Sequence, residues 1–397
     1  DFQGRLFAVG VTTRIDLPVP VLSRCSPPDE VPERVVVTLV DEDNAAVPFE
    51  VRTVEGTSAS EQVSLSEKDS TVTVVFTPVK SGAYHLVVRF HPDVALSQVS
   101  VVVLDALDAG LPVASLPFDC NDVRSWVGHG YVCDSRLIAA DGGFSQTLPP
   151  GQYLAEGDVA WEVPLGPQSG ALWIRDGGYF QRFKDFLLKS GDATSASVFE
   201  GNLYVNERDT GVYRYFVDGG EVVAQWLAAG GISSGVVGPF DGILYQIEDH
   251  MALALLSMTA CPLAIDGGTG TGPCSKLNGE FFAQSGKVLW VTDRADLRAY
   301  ALEDGGWADK KAVPLGMLWN DRVFRRPSFP RFSEPAWELS RRQVVWATLR
   351  EGTPRLFRYE VGSNQIFGGA ADGLFWLRPS TCTTDGGCVT QVYSVGP

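Results

Sequence analysis

One short stretch of the chain has the spacing of a nucleophilic serine. Residues 231–235 read Gly-Ile-Ser-Ser-Gly, which matches the Gly-x-Ser-x-Gly pattern. That pattern is catalytic where a strand turns sharply into a helix and exposes the serine hydroxyl to a histidine base. No helical pattern follows here, and no histidine has a clear claim to be the base. The stretch is therefore predicted to be a loop between two strands.

A second stretch is rich in glycine. Residues 267–272 read Gly-Gly-Thr-Gly-Thr-Gly, and successive backbone amides of such a run can bind a phosphate. The lysine and the helix that complete a phosphate-binding P-loop are missing. Since the run lies between Cys261 and Cys274, we predict a surface loop closed by a disulfide.

Two of the four histidines lie beside acidic residues. His250 follows a Glu-Asp pair, and His129 lies between Asp122 and Asp134. Metals usually need three or four converging ligands, which neither group supplies by itself. The sequence therefore predicts no metal and no cofactor.

The charge of the chain changes sign locally. The whole chain carries a formal charge of −16, yet residues 321–358 hold nine arginines and only four acidic residues. Guanidinium groups pair well with carboxylates and phosphates. Two interpretations stay open: ion pairs to the acidic remainder of the chain, or the docking of an anionic partner. The candidate ligand-binding residues are Arg322, Arg325, Arg326, Arg331, Arg341 and Arg342.

The acidic balance also bears on which partners the chain can have. A surface of this charge repels phosphate backbones, so nucleic-acid binding is not expected. No apolar run reaches the length that a membrane-spanning helix needs. A protein or glycan partner fits better, and the oligomeric state stays open.

Six of the seven cysteines form close pairs along the chain. Close pairing in turn-rich segments predicts disulfides and an oxidising compartment, hence a secreted, periplasmic or cell-surface protein. Zinc sites would need tighter Cys-x-x-Cys spacing or nearby histidines. Cys25 has no predicted partner within the chain, and it is either a buried thiol or disulfide-bonded to another chain. The predicted pairs are Cys120–Cys133, Cys261–Cys274 and Cys382–Cys388.

The elements that carry these residues are indicated by a repeat. An aliphatic residue followed by a large aromatic residue recurs about every 40 residues, a period that is typical of β-propellers. Seven blades are preferred, and six are possible because the spacing is irregular. We predict that the rings pack between neighbouring blades rather than form a sugar-binding ring. The pairs are Leu172-Trp173, Leu203-Tyr204, Leu244-Tyr245, Leu289-Trp290, Val345-Trp346 and Phe375-Trp376.

Asp-Gly-Gly occurs six times in the same part of the chain. Hairpin turns with positive φ favour glycine, and aspartate can close them with its side chain. Binding of calcium would need a further ligand pattern. We therefore predict hairpin turns at Asp141, Asp176, Asp218, Asp266, Asp304 and Asp385.

The last predicted blade lacks an outer strand, since the chain ends soon after the hairpin of residues 374–395. Residues 113–116 precede the first blade and are predicted to fill this position. Such closure protects a sheet edge that would otherwise pair with other chains.

The first hundred residues have a different pattern. Alternating strands separated by turns every 8–12 residues predict an antiparallel sandwich. The Phe76-Thr-Pro-Val-Lys-Ser-Gly-Ala-Tyr84 stretch with the strand that follows it resembles filamin-type immunoglobulin-like repeats. Residues 37–47 resemble the matching segment of bacterial immunoglobulin-like domains. Gly82 would permit a tight corner, from which Tyr84 returns its hydroxyl to the backbone. The resemblance implies a fold rather than a ligand.

The sequence thus predicts an all-β protein with an immunoglobulin-like β-sandwich at residues 1–106 and a β-propeller at residues 113–397. Its expected role is non-catalytic binding outside the cytoplasm. The excess of Arg over Lys and the lack of an Asn-x-Ser/Thr sequon favour a bacterial source. One alternative is a hydrolase or lyase with its site in the central funnel, and another is a structural subunit of a bacterial surface assembly. The funnel candidates are Asp122, Asp134, Asp249, His250 and Asp293.

Overall fold

The protein is described by a computed structural model with 37 β-strands, and no helix occurs among the described residues. The chain forms two compact units, one built mainly on Asp1–Leu107 and the other mainly on the rest, with two short later stretches belonging to the first. The described residues are 7–19, 33–66, 68–91, 95–106, 112–141, 143–164, 169–190, 192–230, 234–252, 255–264, 272–285, 287–292, 296–303, 306–310, 312–314, 336–340, 343–350, 352–371, 374–382 and 388–394.

The first unit contains two sheets. One has the strand order β2-β7-β4-β5, and the other has the order β9-β8-β3-β6, with β1 pairing in parallel with β9. The strands are β1 (Phe7–Ala8), β2 (Thr13–Pro18), β3 (Arg34–Asp41), β4 (Phe49–Thr53), β5 (Gly56–Ser58), β6 (Gln62–Ser64), β7 (Thr71–Phe76), β8 (Gly82–His91) and β9 (Ala95–Ala106).

The two sheets share one apolar core. Every second residue of β2 is buried, as expected for a strand with one face on a core and one on solvent. Ile15 and Val74 from the first sheet and Val37 and Leu86 from the second belong to the same buried cluster. The unit is therefore a β-sandwich.

Tyr84 fastens one corner of this sandwich. Its ring is buried, and its hydroxyl donates to the carbonyl oxygen of Lys80 at 2.8 Å. The chain reaches this corner through Gly82 at φ 128°, where a Cβ would collide with the Glu42 side chain. The predicted return of the Tyr84 hydroxyl to the backbone is confirmed.

The second unit consists of successive small antiparallel sheets, which we call blades one to seven. Blades one to five have four strands each, β32 and β33 pair in blade six and precede β34, and blade seven combines β35 to β37 with β10. The first blades are β11 (Val123–Val127), β12 (Gly130–Cys133), β13 (Arg136–Ala139) and β14 (Ser145–Thr147); β15 (Gln152–Glu156), β16 (Val159–Val163), β17 (Ser169–Asp176) and β18 (Tyr179–Leu187); and β19 (Ala193–Phe199), β20 (Asn202–Glu207), β21 (Gly211–Asp218) and β22 (Glu221–Ala228).

The remaining strands continue the series. They are β23 (Ser234–Phe240), β24 (Ile243–Ala252), β25 (Leu255–Pro262) and β26 (Ser275–Asn278) in blade four; β27 (Glu280–Ser285), β28 (Val288–Thr292), β29 (Asp296–Glu303) and β30 (Gly306–Asp309) in blade five; β31 (Val313–Pro314); β32 (Ala336–Ser340), β33 (Gln343–Arg350) and β34 (Thr353–Glu360); and β35 (Gln365–Ala371), β36 (Leu374–Pro379) and β37 (Thr390–Ser394) with β10 (Ala114–Leu116) in blade seven.

The blades are arranged radially. The first strands of blades six, seven, one, two, three and four contact one another in that order, and β11 and β15 pair in parallel. Each buried cluster that the structure describes in this unit joins two neighbouring blades, as where Trp161 of blade two packs with Leu203 of blade three. Small sheets around a common axis form a β-propeller, which confirms the predicted fold class.

With one shift of position, four of the repeated aromatic residues pack between neighbouring blades: Trp173, Tyr204, Tyr245 and Trp376. The side chain of Trp346 is not among those that the structure describes. Tyr204, Tyr245, Trp290 and Trp376 lie on second strands and are buried. Trp173 instead lies on the third strand of blade two, and Trp161 occupies the second-strand position. Alanine precedes Trp161, so the aliphatic-aromatic pattern does not match there.

The ring closes between the two ends of the unit. β10 pairs antiparallel with β37, so the segment before blade one supplies the outer strand of blade seven, as predicted. Leu116 of β10 is buried in a cluster with Val123 of blade one and Val392 of β37. The closure therefore removes one free sheet edge and extends the core.

The Asp-Gly-Gly turns are hairpin turns where the structure describes them in full. In blade two, Gly177 and Gly178 have φ values of 59° and 93°, and in blade three Gly219 and Gly220 have 59° and 82°. Each pair joins the third strand to the fourth through a two-residue turn. The turns at Asp266, Asp304 and Asp385 lie outside the described residues.

Candidate functional site

Several predicted sites lie outside the described residues. These are Ser233, most of the glycine-rich run at 267–272, Asp293 and Cys25. The same holds for the six candidate arginines, whose role stays a prediction: Arg322, Arg325, Arg326, Arg331, Arg341 and Arg342.

The three predicted cysteine pairs are joined as disulfides. Cys120–Cys133 is fully buried and links the segment before β11 to the end of β12. Cys261–Cys274 closes the loop between β25 and β26, and Cys382–Cys388 closes the loop between β36 and β37. Each bond restrains a connection within one blade.

The acidic groups near the first disulfide, Asp122 and Asp134, are both bonded within blade one. Asp134 adopts φ 52°, and its carboxylate accepts the N–H groups of Asn121 and Asp122 at 3.0–3.3 Å. The Asp122 carboxylate in turn pairs with Arg124 at 2.9 Å. The two carboxylates thus stabilise a turn of blade one.

The other acidic-histidine pair lies on a different blade. Asp249 and His250 lie on β24 of blade four, and Nε2 of His250 is 2.9 Å from Oγ1 of Thr259 on the neighbouring strand. Among the described residues, no three Asp, Glu, His or Cys side chains are grouped as metal ligands. The described funnel candidates therefore fall into two groups on separate blades.

Neutral side chains on the first strands connect the blades. Ser195 of β19 accepts the N–H of Val236 in β23 at 3.0 Å, and Gln284 of β27 accepts the N–H of Gly238 at 3.0 Å. These polar groups join blade three to blade four and blade four to blade five through side-chain hydrogen bonds.

A buried carboxylate on blade three was not predicted from the sequence. Glu207 is fully buried, accepts the N–H of Ser190 at 2.6 Å and is bonded to the Tyr215 hydroxyl. Burial, together with the bond to Glu207, raises the pKa of the Tyr215 phenol. The pair anchors the connection between blades two and three.

The most distinctive surface of the second unit lies on blades two and three. Of the twelve large hydrophobic side chains exposed among the described residues, five lie on these two blades. Tyr179, Phe183 and Leu187 of β18 are 64%, 41% and 68% exposed, and Val217 and Trp226 of blade three are 43% and 55% exposed. We call these five side chains the apolar patch.

Two ion pairs lie beside the apolar patch. Lys184 lies 2.7 Å from Glu221 across β18 and β22, and Arg182 lies 2.7 Å from Asp185. The patch therefore offers apolar contact area bordered by two ion pairs, an arrangement suited to a protein partner.

The sequence carried only a weak signal for this patch. Phe180 and Phe186 are the buried residues of β18, and the bulge at Phe183 between them turns them to opposite faces of the strand. Phe180 packs in the cluster of blades one and two, and Phe186 packs in that of blades two and three. A bulge cannot be located from residue types alone. The exposure of Trp226 likewise depends on its place in an outermost strand.

Comparisons with known proteins leave the family open. No protein-family model matches the chain, and no curated protein matches it. A quinonprotein alcohol dehydrogenase-like protein from Bacteroides thetaiotaomicron is 10% identical with a TM-score of 0.33, covering 99% of this chain and 95% of its own. The WD40 domain of Toxoplasma gondii coronin is 8% identical with a TM-score of 0.28, covering 96% and 89%. Structures this dissimilar are no evidence for the fold, so the β-propeller is assigned from the sheet topology of this chain alone.

None of the described residues belongs to a helix that is long and apolar enough to cross a bilayer.

Proposed function

We propose that this chain is a non-catalytic binding protein that works outside the cytoplasm. Its propeller would contact a protein partner through the apolar patch on blades two and three. The N-terminal sandwich, over residues 1–106, would be an immunoglobulin-like domain of the filamin type that acts as a spacer or second contact. The propeller domain would span residues 113–397.

The observation that carries the proposal is the concentration of exposed apolar side chains on two adjacent blades. Exposed Leu187, Tyr179 and Trp226 each present large apolar area to water. Exposed apolar side chains concentrated on adjacent elements often mark interaction sites, and aromatic residues are enriched in interface centres. The patch therefore favours a protein partner over an anionic ligand.

Two further features support this proposal. Three disulfides favour an oxidising compartment, such as the periplasm or the cell exterior. The arginine-rich segment 321–358 is proposed as a second contact for acidic groups of a partner.

The proposal is tested by comparing baits that differ only in the patch. Immobilised wild type, Phe183→Lys/Leu187→Lys and Trp226→Lys would be exposed to the extracellular proteins of the source organism. Val79→Lys, which alters an 82% exposed residue of the first unit, is the matched control. We expect one partner to be retained by wild type and control and lost by both patch variants. Retention of the same proteins by all baits would contradict the proposal.

A further inference from the structure

The outer strand of blade three has an unprotected edge. Most outermost strands of the described blades are short, with β10 and β14 of three residues and β26 and β30 of four. By contrast, β18 has nine residues and β22 has eight. Proteins commonly keep edge strands short or charged to prevent pairing with other chains, so a long edge calls for a reason.

In blade two, a side chain of the protein itself bonds to the outward-pointing backbone groups of the edge strand. The side-chain amide of Gln146 donates to the carbonyl oxygen of Phe180 and accepts its N–H, both at 2.7 Å. Phe180 is the second residue after the Gly-Gly turn, where backbone groups point away from the adjacent strand. An amide in this position imitates one residue of an added β-strand.

The equivalent residue of blade three is Val222, which also follows a Gly-Gly turn by two positions. Among the described residues, no side chain is bonded to the backbone of Val222. By the same alternation, the N–H and C=O groups of Val222 and Ala224 point outward from β22. The strand carries no charged residue after Glu221, so nothing along it opposes pairing.

The surroundings of β22 indicate the chemistry of what pairs with it. Exposed Asp218 lies near the first residue of β22. Near the last residues of β22, the Trp226 indole N–H donates to the carbonyl oxygen of Thr210. Exposed Asp209 is the neighbour of Thr210, so an acidic residue lies at each end of the strand. An uncharged edge between two acidic ends suits an uncharged extended segment with basic residues at its termini. A second copy of this chain is disfavoured, since each copy carries a net charge of −16.

We propose that β22 accepts an extended peptide segment of a partner protein as a fifth strand of blade three. The segment has alternating β-forming residues between basic ends. Its backbone bonds to Val222 and Ala224, and its side chains contact Trp226. This inference rests on the proposed function and specifies how the partner is held.

The test uses a fluorescent, capped peptide in which valine and threonine alternate between terminal lysines. Binding is followed by anisotropy, and hydrogen exchange locates the protected backbone amides. Two further probes carry N-methyl groups on one or the other alternate set of residues. An added strand turns only one set of its amides toward β22, so we expect one methylated probe to bind and the other to fail.

The protein variant for this test is Ala224→Pro. Proline there removes an outward N–H but keeps the inward ladder to β21, which edge strands tolerate. We expect at least about fivefold weaker probe binding, as for the loss of one hydrogen bond. The control is Ala224→Gly, which alters the same side chain but keeps the outward N–H and should therefore leave probe affinity close to that of the wild type. If Ala224→Pro fails to fold, the methylated probes alone decide the outcome.

Several outcomes would overturn the inference. They are no binding of the unmodified probe to wild type, equal binding of both methylated probes, or protection away from β22. A dimer formed through β22 would also overturn it. If the probe fails while the patch variants still lose a retained partner in the bait experiment, strand addition is wrong and the proposed function stands. Should the baits not differ, the proposed function itself fails.

Discussion

At the scale of single residues, the described polar side chains mostly stabilise the fold. Asp134 closes a turn, Ser195 joins two blades, and Tyr84 fastens a corner of the sandwich. Each replaces a backbone hydrogen bond that the local chain path leaves unmade. Substitutions at these residues should therefore change stability more than binding.

Tyr84→Phe tests this interpretation in the first unit. The substitution keeps the ring in the core but removes the donor to the Lys80 carbonyl oxygen. We expect a loss of about 1 kcal/mol in the free energy of unfolding, measured by denaturant titration. The control is Tyr179→Phe, where the ring is 64% exposed and little change is expected. Equal effects of both substitutions would contradict the assignment.

The ion pair at the ring closure predicts a dependence on pH. Two bonds from the Arg378 guanidinium, at 2.6 and 2.7 Å, lower the pKa of the Asp119 carboxyl. Because the folded pKa lies below the unfolded value of about 3.9, the stabilisation is fully present above that value. It is lost as the pH falls through the folded pKa.

Asp119→Asn should remove this contribution. We expect a loss of roughly 1 kcal/mol at neutral pH, since the pair is partly exposed, and a smaller difference from wild type in strong acid. Thermal unfolding between neutral and acidic pH measures both effects. A difference that stays constant down to strong acid would show that Asp119 acts through its shape rather than its charge.

At the scale of elements, turn chemistry and strand alternation made much of the fold predictable. The Gly-Gly turns after Asp176 and Asp218 follow from the demand for positive φ. The closing strand β10 could be predicted because the last blade had no outer strand of its own. The bulge at Phe183 and the burial of Glu207 could not, since both depend on neighbouring blades.

Leu116→Ala tests the contribution of the closing strand. Leu116 is buried between blades seven and one, so truncation leaves a cavity. We expect a loss of about 2–5 kcal/mol in the free energy of unfolding, measured by chemical denaturation. Val127→Ala, at a 54% exposed position of blade one, is the control. Equal small losses would mean that β10 contributes little to the core.

At the scale of the whole molecule, stability and recognition are assigned to different parts of the propeller. The first strands and the closure hold the ring, whereas the outer strands of blades two and three present apolar surface. The candidate site could not be predicted from the sequence because it is formed by exposure and by a free sheet edge. Neither property belongs to any single motif.

A cysteine pair can show whether β10 and β37 close the blades into a ring. Ser115 and Gln391 are paired residues across this closure. In a Cys25→Ser background, Ser115→Cys/Gln391→Cys should form a disulfide, because paired strand residues lie within disulfide range. Ser115→Cys/Tyr393→Cys, two residues out of register, is the matched control. Peptide mass spectrometry under non-reducing conditions should detect the 115–391 crosslink and not the 115–393 one. Absence of the first, or equal yields of both, would contradict the closed ring.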